Sequence, residues 1–133
     1  MLPSFSIPTS RLSSFGVLEL AYIGDAVYEL LVRTKLCQNP ALTKNLHKRA
    51  VAVVKAQAQA EAAERILPLL TEEERGVYTR GRNANPHTLP RAATRAAYMA
   101  ATGLEAVFGW LYLSGQEERV RKLFEVCMGE NHI

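Results

Sequence analysis

The chain has too little cysteine for a disulfide framework or a zinc site: only Cys37 and Cys127, without metal-ligand spacing. Reduced thiols and a cytosolic setting are the expectation. Alternation of apolar and polar residues is missing too, as are repeats, linkers and low-complexity tracts, so no β-sheet, solenoid or disordered tail is expected. The first residues, Met-Leu-Pro-Ser-Phe-Ser-Ile-Pro-Thr-Ser-Arg, hold no basic start followed by an apolar run, which argues against a signal peptide. Only the stretch from Ala96 to Gly115 approaches a membrane span in length and lack of charge. Glu105 lies at its middle, and a buried core helix is the better reading.

What remains is a helical sequence of 133 residues, enough for one domain with a real core. A short arm over 1–13 precedes a single all-α domain over 14–133. Ser13 or Ser14 can cap a helix running to about Arg33, with Leu18, Ala21, Tyr22, Asp25, Glu29 and Val32 along one flank. Asn39-Pro40 ends this segment. An Ala-, Lys- and Gln-rich tract follows from Thr43 to Leu67, with a break near Lys55. Thr71 and Glu74 have capping-box spacing for a short helix ending near Gly81. The segment from Arg82 to Pro90 reads as a loop. Helix resumes near Arg91, stops at Gly115, and a last amphipathic helix runs from Gln116 to about Met128. Phe108, Trp110, Tyr112 and Phe124 have helical spacing and belong in a core or a subunit interface.

Two carboxylates stand out. Asp25 is set in Ala21-Tyr22-Ile23-Gly24-Asp25-Ala26-Val27, and Glu105 in Gly103-Leu104-Glu105-Ala106-Val107-Phe108-Gly109. A carboxylate in apolar surroundings is costly unless paired, protonated or bound to a cation. The small residues around each let helices approach closely. Two such acids suggest a divalent-metal site, since Mg²⁺ takes oxygen ligands and keeps several waters. The plain alternative is that each acid pairs with an arginine or caps a backbone. Glu29 lies one turn after Asp25 on the same face.

Positive charge is unevenly spread. The net charge is +3, yet from Lys44 to Arg95 ten Lys and Arg face five Glu. Thr79 to Arg95 holds four arginines (80, 82, 91 and 95) and no acid. Arginine forks match phosphate oxygens, and Asn83 can reach sugar or phosphate. No aromatics interleave with these residues, so a duplex backbone fits better than stacked single-stranded bases. Lys44, His47, Lys48, Arg49 and Lys55 form a second basic stripe. A solvated basic surface is the competing reading of both. His47 and His87 have no motif partner.

Tyr22-Ile23-Gly24-Asp25-Ala26-Val27-Tyr28-Glu29 resembles the signature helix of the ribonuclease III catalytic domain, whose Leu-Gly-Asp-Ala-Val-Leu-Glu type segment carries a metal-binding aspartate. Glu105-Ala106-Val107-Phe108-Gly109 resembles the family's second signature, which carries a metal-binding glutamate. Leu46-His47-Lys48-Arg49-Ala50 and Arg80-Gly81-Arg82-Asn83-Ala84 resemble the Mini-ribonuclease III subfamily, which has no appended double-stranded RNA-binding domain. The resemblance covers about residues 14–127. Where the larger family carries further acids, this sequence has Leu18, Ala21 and Thr102, so only Asp25 and Glu105 carry over as catalytic and metal-binding residues. Glu29 and Thr102 are candidates for supporting them or a metal-bound water.

The resemblance implies a two-fold homodimer and Mg²⁺-dependent (or Mn²⁺-dependent) endonucleolytic cleavage of double-stranded RNA. It implies 5′-phosphate and 3′-hydroxyl ends and precursor 23S ribosomal RNA as substrate, in the cytoplasm and away from membranes. His47, Lys48, Arg49, Arg80, Arg82, Asn83 and Arg91 would then contact RNA. Two alternatives are a catalytically silent RNA-binding module of the same fold and a protein-binding helical adaptor.

Overall fold

A computed structural model describes residues 7–84 and 94–129. Among these residues every regular element is helical: α1 (Thr9–Leu12), α2 (Val17–Cys37), α3 (Leu46–Val54), α4 (Ala56–Ile66), α5 (Glu72–Arg82), α6 (Arg95–Leu113) and α7 (Glu117–Met128), with 3₁₀ turns at Pro40–Leu42 and Leu67–Leu69. This is the expected all-α fold.

The helix ends follow local chemistry. Glu19 accepts a hydrogen bond from the Gly16 N–H at 2.7 Å, so α2 is capped at Gly16 and not at the serines. Ser14 closes α1 instead, donating to the Arg11 carbonyl at 2.6 Å. Asn39 accepts from the Ala41 N–H at 3.0 Å and opens the turn at Pro40. The break at Lys55 is present: its backbone is extended, and α4 restarts beyond it. The Thr71–Glu74 capping box is complete, with N–H to oxygen distances of 2.9 and 3.2 Å. Thr94 caps α6 by accepting from the Ala97 N–H. Gly115 follows α6 at a φ of 77°, where a side chain would be strained.

The arm is tied to the body. The Ile7 N–H donates to the Leu113 carbonyl at 2.8 Å, and Leu12 is buried.

Helix α6 is the axis of the molecule; α2, α5 and α4 pack around it. Its contact with α2 is main chain on main chain. A β-carbon on Gly24 would overlap the Glu105 carbonyl oxygen, and one on Gly109 would overlap that of Leu20. Behind this crossing, Tyr28 is fully buried and meets Phe108 and Phe124 edge-to-face, at centroid distances of 5.2 and 5.6 Å. Cys127 is buried beside Tyr28, and burial pushes its thiol up to about 12; Cys37 is exposed. Arg65 donates through Nε and a terminal nitrogen to the Cys127 carbonyl and holds the end of α7.

The flank of α2 read from the sequence is divided. Ala21 and Val32 are buried with Leu20, Gly24, Val27, Tyr28 and Leu36, whereas Leu18 and Tyr22 are 49% and 80% exposed. No described helix is long and apolar enough to cross a membrane; α6 is the buried core helix anticipated from Glu105.

Candidate metal centre and nucleic-acid interface

The α2–α6 crossing brings Asp25 and Glu105 together. Asp25 is exposed on α2, Glu105 is half-buried on α6, and the two carboxyl groups lie within hydrogen-bonding reach. Burial, then the charge of Asp25 and its hydrogen bond, push Glu105 up to about 8. Without a cation, burial and the neighbouring Asp25 carboxylate thus favour the protonated form of Glu105. No lysine or arginine among the described residues forms an ion pair with either acid, so the arginine-paired alternative does not describe them. No third acid, histidine or cysteine among the described residues joins them. Two close oxygen-donor carboxylates paired to no cationic side chain among the described residues fit a hard divalent cation that keeps water in its remaining positions.

The sequence reading missed Gln59. This α4 side chain is 2% exposed, and its amide donates toward the Glu105 carboxylate, opposing the upward shift. It hides in Ala56-Gln57-Ala58-Gln59-Ala60-Glu61, which reads as a solvated helix. The available signal was spacing: Gln59 lies in register with Ala62, Ala63 and Ile66, all buried.

The supporting candidates are already engaged. Thr102 is buried, and its hydroxyl donates to the Tyr98 carbonyl at 3.0 Å. Glu29 pairs with Arg33 at 2.8 Å along the same helix. Neither bond reaches the two acids.

Residues 18–116 match the description of the ribonuclease III domain. The chain belongs to the ribonuclease III family. It is similar to proteins named Mini-ribonuclease 3: 47% identical over 116 residues to that of Thermoanaerobacter sp. (86% of this chain, 82% of the relative). It is 46% identical over 111 residues to that of Symbiobacterium thermophilum (83% and 85%). A crystal structure of a Fusobacterium nucleatum protein superposes with a TM-score of 0.80 at 33% identity, covering 89% of this chain and 95% of that one.

Within this ribonuclease III domain the basic residues fall into separate groups. Lys48 and Arg49 are exposed on α3, with the Arg49 Nε donating to the Lys44 carbonyl. His47 lines a cleft of about 300 Å³ with Arg33, Leu36, Cys37 and Leu46. Arg82 is not in a loop: α5 continues to it, placing it with Arg80 on the exposed last turn, with Asn83 as the cap. Arginines there also suit the negative end of the helix dipole. Helix α5 meets α6 through Gly81, Gly103 and Ala106, whereas the acids lie where α6 meets α2 and α4. Arg80 lines a cleft with Glu73, Phe15 and Trp110. Arg91 and His87 lie outside the described residues.

Proposed function

We propose that this protein is a double-strand-specific endoribonuclease that uses Mg²⁺, or Mn²⁺ in its place, at Asp25 and Glu105. The observation that carries the reading is the close carboxylate pair at a crossing built from glycine, within a chain of the ribonuclease III family. Asp25 and Glu105 supply the oxygen ligands. When bound, the ion would provide Lewis acidity at the scissile phosphate and a water of lowered pKa. Lys48, Arg49, Arg80, Arg82 and Asn83 are solvent-facing and free to meet backbone phosphates, with His47 and Arg91 as further contacts. Cleavage leaves 5′-phosphate and 3′-hydroxyl ends.

The proposed working form is a homodimer. Leu18, Tyr22, Ala26 and Leu30 make an exposed stripe, mostly large apolar side chains, on α2, the helix that carries Asp25. An isologous contact there would cover the stripe and set two sites near one two-fold axis, as paired cuts on a duplex require. The proposed substrate is precursor 23S ribosomal RNA in the cytoplasm, supported by similarity to proteins named Mini-ribonuclease 3. The retained acid pair weighs against a silent RNA-binding module.

The test is incubation with duplex RNA in Mg²⁺ and in chelator. Cleavage only with the metal, and accurate trimming of a 23S precursor transcript, is the expected result. Binding without cleavage under any metal would favour the silent module.

A further inference from the structure

Apart from tyrosines and Cys127, three described residues with polar side chains are buried: Gln59, Glu74 and Thr102. Glu74 is satisfied by Arg119 and Thr71, and Thr102 by its own helix. Gln59 alone reaches a carboxylate on another helix that the proposed chemistry uses. Its position depends on the break at Lys55. The extended backbone there restarts the helix, the Gln59 N–H closes the first turn onto the Lys55 carbonyl at 3.0 Å, and the buried stripe of α4 turns inward.

The choice of side chain is informative. A lysine or arginine at this place would neutralise Glu105 and compete with a cation. An aliphatic residue would fill the core but leave the carboxylate free to rotate. A primary amide fixes one carboxylate oxygen without adding charge and leaves the other available. Partners of this kind orient ligands and commonly change metal affinity by ~10–100-fold when removed.

We propose that Gln59 is a positioning residue: it holds the Glu105 carboxylate in the orientation in which Glu105 and Asp25 together bind a divalent cation. This rests on the metal reading given above.

The test is Mn²⁺ binding to the metal-free protein, followed by calorimetry or electron paramagnetic resonance, for wild type, Gln59→Met and Gln59→Asn. Met keeps the volume and removes the donor; Asn keeps a buried amide but shortens its reach. Both should bind Mn²⁺ roughly 10-fold or more weakly. Thermal melting in chelator should stay near wild type for any folded variant, and duplex RNA affinity in chelator should not change. Cleavage should fall in kcat at limiting metal and recover as metal is raised. A purely structural role predicts altered melting with unchanged Mn²⁺ affinity, and that result overturns the proposal. If Gln59→Met does not fold, Gln59→Asn decides on the same criterion. Asp25→Asn and Glu105→Gln serve as controls: if they also bind Mn²⁺ like wild type, the metal reading itself fails. If they lose binding while the Gln59 variants keep it, only the role of Gln59 fails.

Discussion

Glu74 and Arg119 are 45 positions apart, yet they meet in a two-pronged bond, with Nε and a terminal nitrogen each 2.8 Å from a carboxylate oxygen. Burial alone would raise Glu74. The Arg119 hydrogen bonds and charge, with the Thr71 N–H, outweigh it and hold this carboxyl below its usual range. Arg119 also donates to the Leu69 carbonyl, tying α7 to the start of α5.

Arg119→Met should leave a buried, unpaired carboxylate and cost about 3 kcal/mol at neutral pH. The pH dependence has a definite sign. A depressed native pKa contributes stability that is complete above the unfolded value of ~4.3 and is lost as pH falls through the native value. The gap between variant and wild type should therefore narrow in acid. Urea unfolding at neutral and acidic pH measures it; a gap that widens in acid is the contrary outcome.

Gly24→Ala and Gly76→Ala should act in opposite directions. At Gly24 the added methyl meets the α6 main chain, which cannot yield. Loss of roughly 3 kcal/mol or more, with reduced metal binding, is expected from overpacking. At Gly76, inside α5, the methyl meets nothing within 4 Å. A gain of about 0.5–1 kcal/mol follows from the stiffer unfolded chain and better helix propensity. Thermal melts of the two variants check both signs.

Asp25→Asn and Glu105→Gln should each reduce duplex cleavage by ~10³-fold or more while leaving the fold and duplex binding in place, because each removes a ligand charge at nearly constant shape. Single-turnover rates at saturating Mg²⁺ are the measurement. A wild-type rate from either would remove that acid from the site.

Arg80→Ala with Arg82→Ala should weaken duplex RNA binding and lower its salt dependence by about one to two units of slope. Affinity measured across a salt series gives the slope directly. An unchanged slope would mean that these two arginines do not touch phosphate.

Tyr22→Asp should convert a dimer to a monomer. Tyr22 is 80% exposed at the centre of the apolar stripe on α2, where a charge costs nothing in a monomer and much in a dry interface. Light scattering on both proteins at micromolar concentration decides it, and a monomeric wild type would refute the dimer.

The acids could be read from the sequence because a charge among small and apolar residues has few bland uses, and the structure places Asp25 beside Glu105. The Thr71–Glu74 box was readable because its chemistry is local. Gln59 was hidden because its partner lies on another helix and its neighbours are alanines. Arg82 was assigned to a loop because Gly81 looked like a stop, but Gly81 faces Gly103 and serves packing. The Glu74–Arg119 bridge joins distant helices, and nothing local in either segment announces it.

Because α2 and α6 touch through their main chains at Gly24 and Gly109, no side chain stands between the helices at the crossing that carries the two acids. The apolar residues behind the crossing can be exchanged over evolutionary time, each swap absorbed by its neighbours, without retuning the chemistry in front. The two glycines have no such latitude. Divergence in this protein should collect in the packing and leave the crossing fixed.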